Sequence, residues 1–296
     1  MNTFVETLFN GLTLGSVYAL VTVGFVVVFK ASGAMNFAHG SLLLLGGYLV
    51  AVLRSDLGFA GALAAAAACT AAAAGLLALV LRAAGPGAPA HTLTILTIGV
   101  DLILSTDLAR RLGPDILGLA DPWGDRVVDL GPFPVAAARL ASLAAAVLLV
   151  GAVLAAFRWS RWGLAMRAAT QDREAAALMG VRQQRVRLLA WCAAGVLATV
   201  AAVFLASFPA PGLDRTTGTV ALKALPAAIL GGIDSVGGAL LGSMLVGTTE
   251  ALVAGYHQHL GAAGQGLAGV APYAVMVLVL LVRPRGLLGS KETTRV

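Results

Sequence analysis

Ionisable side chains inside long apolar runs are the first place to look for chemistry, because a charge in hydrocarbon is kept only with a partner or a task. Here they are His39 at the mouth of one run, Asp101 and Asp107 within another, and Glu250 within a third. Asp101 and Glu250 could bind a coupling proton or ion if they meet near a helix break at the membrane midplane, as in a self-sufficient secondary transporter. Asp107 stands beside Arg110 and Arg111 and reads instead as a carboxylate reaching headgroup water. His39 has Asn36 near it but no second histidine at metal-ligand spacing, which favours hydrogen bonding at a helix end over ligation. His257 and His259 read as a solvated pair on an outer loop. The chain contains no GxxxxGK[ST], HExxH or GxSxG string, so neither ATP binding through a phosphate loop nor hydrolytic chemistry is encoded in those forms. No metal, no cofactor and no enzymatic activity are expected.

A second chemistry-bearing stretch is the basic segment 158–187, RWSRWGLAMRAATQDREAAALMGVRQQRVR, which lies between two apolar runs. Seven arginines against Asp172 and Glu174 give it most of the chain's formal charge of +6. By the positive-inside rule it stays in the cytoplasm and orients everything else. Within it, Thr170 is a candidate N-cap, Asp172 and Glu174 place negative charge in a first turn, and Gly180 supplies a stop, predicting a helix over 170–179. At the helical period Gln171, Ala175, Leu178 and Met179 share one side. That apolar stripe fits either a docking helix for a cytosolic partner or a helix lying on anionic headgroups.

The elements that position these residues are membrane spans. The 296 residues are 59% hydrophobic and only 11% charged, against about 25% charged in a soluble domain. Composition therefore predicts an all-α, polytopic integral membrane bundle forming a single domain over residues 1–296. The N-terminus has no positive n-region or cleavage site, so the first span is expected to be retained. Cys69 and Cys192 lie in apolar runs and are expected to pack as small apolar residues. The pI near 9.9 reflects arginines clustered beside spans, which argues for orientation and against a nucleic-acid partner.

Apolar runs cover 5–29, with Gly11 and Gly15 spaced for close helix approach, then a second beginning near His39, then 57–81, 92–109, 135–157, 188–208, 236–256 and 267–282. Arg54 and Asp56 mark a short outer turn between the second and third. The run 219–233 is short and interrupted by Pro226, Gly231 and Gly232. The tail carries Arg283, Arg285, Lys291 and Arg295 and also reads as cytoplasmic, so an even number of crossings must separate it from the basic segment. The run 219–233 must then cross as a short or broken helix, giving eight to nine crossings with the N-terminus outside. The connection 110–134, with Asp115, Asp121, Asp125 and Asp129, faces outside as either a partner-binding or an inert loop.

Several strings resemble the branched-chain amino acid ABC importer permeases, the Liv-type H subunit family. They are NGLTLGSVYAL from Asn10, NFAHG at Asn36 to Gly40, and Thr97, Ile98, Gly99, Ile103 and Leu104 in the fourth run. Arg167, Ala168, Asp172, Ala176 and Gly180 fit the family's cytoplasmic coupling segment. KALPAAILGGI from Lys223 and the acidic Glu250 match further on. Asp234 stands where the family more often has glycine, and it would cap the following helix well. Asp101 departs from an uncharged family position. The resemblance implies half of a translocation pathway in a bacterial inner membrane, with a second related permease, two cytosolic ATPase subunits and an extracytoplasmic solute-binding protein as partners. It also implies coupling through Arg167, Asp172, Ala175, Leu178, Met179 and Gly180, and a pathway near Asn36, His39, Gly40, Lys223, Gly231, Gly232 and Glu250.

Overall fold

The computed structural model describes all residues except 1, 86–87, 115, 120–121, 125, 130–133, 209–211, 257–265 and 290–296. The readings made for His257, His259, Asp115, Asp121, Asp125, Lys291 and Arg295 therefore lie outside the described residues. The bundle is built from α1 (Asn2–Ser32), α2 (His39–Ala83), α3 (Ala90–Leu112), α4 (Ala137–Trp159), α5 (Arg161–Gln171), α6 (Arg173–Leu178), α7 (Gln183–Leu205), α8 (Val220–Gly231), α9 (Val236–Gly255) and α10 (Leu267–Val282). A two-stranded antiparallel hairpin, β1 (Val127–Asp129) and β2 (Pro134–Ala136), precedes α4.

Helix α2 has 45 residues, and a straight helix of that length would measure roughly 68 Å, more than twice the hydrocarbon thickness. It does not run straight. Gly58 takes φ 67° and ψ 172°, a left-handed φ that suits glycine, and the chain reverses there. Ala38 and Leu42 of the first arm consequently share a core with Ala74, Leu77 and Leu81 of the second. The outer turn expected at Arg54 and Asp56 is thus made at one residue, with Arg54 and Asp56 still helical. Cys69 is exposed on the second arm rather than packed, and Cys192 is half-buried on α7.

Among the described residues six helices are long and apolar enough to cross a membrane, and α8 and α10 are shorter apolar helices. With the two arms of α2 taken separately and α8 and α10 included, the described residues hold nine apolar helical segments, within the eight to nine crossings expected. Helix α1 forms the centre, with 83% of its apolar window buried against 17% for α3. It packs on α4, α7, α8 and α9. Gly15 and Gly247 allow the α1 and α9 backbones to touch, because a Cβ on Gly247 would collide with the Gly15 amide.

The interrupted run after α7 is a 3-10 turn at Thr217–Thr219 followed by the 12-residue α8. Pro226 cannot donate to the Leu222 carbonyl, and the Tyr273 hydroxyl of α10 donates to that carbonyl at 3.4 Å. At one end of the bundle the α1 terminus, the basic segment and residues 286–289 gather. There Lys30 Nζ donates to the Asp234 carbonyl at 2.6 Å, and Leu287 and Leu288 amides donate to Leu230 and Gly231. At the other end Leu117 and Leu213 exchange backbone hydrogen bonds, and Trp123 packs between Phe59 and Phe204.

Two capping expectations are corrected. Helix α5 starts at a Ser160 cap and runs through Thr170, whose hydroxyl bonds back to the Arg167 carbonyl. Asp172 is extended and accepts from the Ala175 amide, so it ends α5 and caps α6 itself. A carboxylate that can satisfy a helix-start amide competes with continued helix, which is why the break falls at Asp172 and not at Thr170. Gln171 consequently belongs to a different helix from Ala175 and Leu178. The cap of α9 is Ser235, which accepts from Gly238 at 3.0 Å, so Asp234 does not cap that helix.

Candidate translocation and coupling sites

The buried polar centre of the bundle is built from three helices. Glu250 of α9 accepts from the Tyr18 hydroxyl of α1 at 2.6 Å and from Lys223 Nζ of α8 at 2.9 Å. The Glu250 side chain is 11% exposed and that of Lys223 35%. Neither charge is tolerable alone in hydrocarbon, and together they neutralise each other with Tyr18 holding the second carboxylate oxygen. Glu250 also lines two clefts that share Leu14. One, of about 340 Å³, includes Thr7, Asn10, Thr13, Arg139 and Phe208. The other, of about 200 Å³, includes Tyr18, Asp214, Thr216, Thr217 and Lys223. Both clefts therefore border Glu250, and the second also borders its partner Lys223.

Asp214, outside the spans, shapes the mouth of the second cleft. Partial desolvation pushes its carboxyl up, but hydrogen bonds from the hydroxyls and amides of Thr217 and Thr216 outweigh this and hold it below the usual carboxylate value. This turn, Tyr18 and the Arg139–Asn10 hydrogen bond were not singled out from sequence. The signal for Tyr18 was its place in the string from Asn10; that for the pair was the presence of one lysine and one glutamate in neighbouring apolar runs.

Asn36, His39 and Gly40 form a second, separate place, the non-helical entry to α2. Asn36 Oδ1 accepts from the Ala38 amide at 3.1 Å, Thr97 Oγ1 from Phe37 at 3.1 Å, and Asp101 Oδ1 from Ser41 at 3.2 Å. Ala38 has no side chain able to cap, and Asp101 of α3 supplies the acceptor from another helix. The His39 ring fills the notch left by Gly24 and packs against Phe25, with ring centroids 4.6 Å apart and the planes tilted by 53°. Its nitrogens make no hydrogen bond of normal geometry, so it is packed rather than bonded at the helix end. Gly40 lies against the Gly218 carbonyl, 2.6 Å from where a Cβ would stand. The α2 entry and the broken helix thus meet inside the bundle, but Asp101 and Glu250 are not brought together.

Gly231 and Gly232 are at the opposite end from the clefts. Gly231 touches Gly238 backbone to backbone, and Gly232, with φ 102°, lies beside Gly289. In the basic segment, Arg167 donates to the Phe157 carbonyl, Trp162 Nε1 to Val186 at 3.2 Å, and Met166 is fully buried. These contacts fasten α5 to the bundle. Helix α6 packs on α5 and leaves its tip free: Ala176 is buried, Gly180 with φ 81° closes the helix, and Leu178 and Met179 are 89% and 85% exposed.

Residues 7–280 match the family described as branched-chain amino acid transport system, permease component. The chain belongs to this permease family. It is 31% identical over 315 residues to the high-affinity branched-chain amino acid transport system permease protein LivH of Escherichia coli, covering 99% of this chain and 98% of that protein. It is 29% identical over 312 residues to BraD of Pseudomonas aeruginosa, with the same coverage. The fold is also similar to that of PsaBC from Streptococcus pneumoniae, solved in complex with Fab, at a TM-score of 0.51 and 16% identity over 95% of this chain and 96% of that one. The chain is thus a multi-pass membrane transport subunit, as the strings at Asn36, Arg167 and Lys223 implied.

Proposed function

We propose that this permease forms half of the translocation pathway of an ATP-driven importer for branched-chain or related amino acids. A second permease would complete the pathway, two cytosolic ATPase subunits would drive it, and an extracytoplasmic solute-binding protein would load it. The substrate reading rests on the likeness to LivH and BraD, permease proteins of high-affinity branched-chain amino acid transport systems. The observation that carries the coupling role is the α6 tip: two large apolar side chains, Leu178 and Met179, are presented almost fully exposed on a segment anchored by Arg167 and Trp162. A docking groove on an ATPase subunit would bury them, and movement there would pass through α5 into α4 and α7. Of the residues named for coupling, Leu178, Met179 and Ala175 would make contact, whereas Arg167, Asp172 and Gly180 would hold the shape. The clefts ending at Glu250 and Lys223 would receive substrate from the outer side.

Leu178→Asp tests this reading, since a charge placed in a desolvated contact costs several kcal/mol. Insertion should survive while ATPase copurification and stimulated ATP hydrolysis fall at least tenfold, and Arg182→Ala should retain both. Equal effects of the two substitutions would exclude α6 as the docking element. On this reading the protein sits in a bacterial inner membrane with the basic segment and the C-terminus facing the cytoplasm and the N-terminus outside, as the positive-inside rule requires. A cysteine at Ala177 should then react with impermeant maleimide only from the cytosolic side and one at Val127 only from outside; the opposite pattern would reverse the orientation.

A further inference from the structure

Three arginines converge beside the basic end of the bundle without an acidic partner. Arg82 closes α2, Arg173 opens α6 and Arg187 lies in the first turns of α7. Arg187 is near enough to feel the positive charges of the other two. Gly33, with φ 72° and no Cβ, lets the Arg173 guanidinium settle over the end of α1. Gln183 donates to the Arg173 carbonyl and fixes the start of α6 against α7. The three guanidinium groups line a cleft of about 200 Å³ that also receives Ala90, the amino end of α3. Arg82 and Arg187 line a second cleft of about 250 Å³ together with Leu79 and Leu188. Among the described residues no carboxylate forms an ion pair with any of the three arginines.

Uncompensated guanidinium groups held close together call for an anion, and the planar, multiply hydrogen-bonding group matches phosphate. What lies below the clefts narrows the source. Leu76, Leu79, Val80 and Leu189 are 62%, 43%, 52% and 53% exposed on the same two helices, an apolar strip at hydrocarbon depth beneath a cationic head site. A free phosphate uses only the arginines; a phospholipid uses both parts. We propose that Arg82, Arg173 and Arg187 bind the phosphate of one anionic phospholipid whose chains lie along α2 and α7. Because Arg173 also begins the helix that carries Leu178, the lipid would brace the α6 tip from behind. This site is independent of which substrate the permease carries.

The test is native mass spectrometry of the full chain with phosphatidylglycerol or phosphatidylcholine added. The wild type should retain one phosphatidylglycerol, and the Arg82→Gln/Arg187→Gln double variant should bind it about 25-fold more weakly, on the order of fivefold for each cation. Arg82→Lys/Arg187→Lys should keep most of the binding, and Arg182→Gln all of it. Phosphatidylcholine binding should be the same for every variant, and monodispersity in phosphatidylcholine nanodiscs checks the fold. Equal phosphatidylglycerol retention by wild type and the Gln variant overturns the site. Displacement of phosphatidylglycerol by excess inorganic phosphate overturns the lipid as the source, as does its loss on adding the ATPase subunits, which would assign the arginines to an acidic protein surface. If the Gln variant does not fold, equal wild-type retention of phosphatidylglycerol and phosphatidylcholine is sufficient to reject the proposal.

Discussion

Two carboxylates in apolar helices, Asp107 and Glu250, meet cations in opposite ways. Asp107 bonds Arg110 and Arg111, three and four residues further along the same helix, at 2.8 and 2.7 Å. Its side chain is 38% exposed and the arginines 76% and 52%, so water screens the cluster. Glu250 instead draws its partners from α8 and α1, at an 11% exposed position where three helices join. The first arrangement is a property of one helix and would exist without the fold. The second exists only once the bundle has assembled, and it alone borders the clefts.

Glu250→Ala should have the largest effect, because it strands the Lys223 ammonium. Breaking a fully buried pair costs about 3–5 kcal/mol, and the partial exposure of Lys223 reduces this to about 2 kcal/mol. Thermal unfolding in detergent and uptake in proteoliposomes should both show the loss. Combining Glu250→Leu with Lys223→Met removes both charges and sharpens the point: stability should largely return while uptake stays low if the pair serves transport. Recovery of uptake in that double variant would make the pair purely structural.

Tyr18→Phe should come next, at about 1.5 kcal/mol for one hydrogen bond to a charged acceptor in a site with little water. Asp107→Asn should come last, within about 0.5 kcal/mol in stability and with uptake unchanged. If Asp107→Asn impaired uptake as much as Tyr18→Phe, the distinction between a local cluster and an assembled one would fail.

The same contrast explains what could be read in the chain beforehand. Spans were legible because each is an apolar run of sufficient length, and the broken crossing followed from parity together with Pro226. The role of Asp107 was legible because its partners are within four residues. The approach of α1 to α9 at Gly15 was legible as small-residue spacing, though not which helix would be met. The reversal at Gly58 was located only to within a few residues, since Arg54 and Asp56 drew attention to themselves while the backbone turned at a glycine. Thr170 and Asp172 were both plausible caps, and only the geometry of the Ala175 amide decided between them. Glu250 and Lys223 were each singled out, yet their joining at Tyr18 depends on which helices are neighbours, which no local pattern encodes. Asp101 was legible as unusual; its use as a borrowed cap for α2 was not.

Tyr18 and Glu250 are 232 positions apart in the chain, and α1 leaves the ribosome before α9 although it ends at the centre. At about 5–20 residues per second, synthesis leaves Tyr18 waiting on the order of 10 to 50 s for its acceptor. During that interval the helix must be stable in lipid with the face that it will later hide. Thr13 and Ser16 make this possible by bonding to carbonyls of their own helix at 2.8 and 2.7 Å, leaving little polarity for the lipid to reject. The order of biogenesis is thereby written into the central helix: Thr13 and Ser16 are satisfied early within it, while the Tyr18 phenol and the Thr22 hydroxyl, which donates to the Ala224 carbonyl at 3.2 Å, wait for partners made near the end.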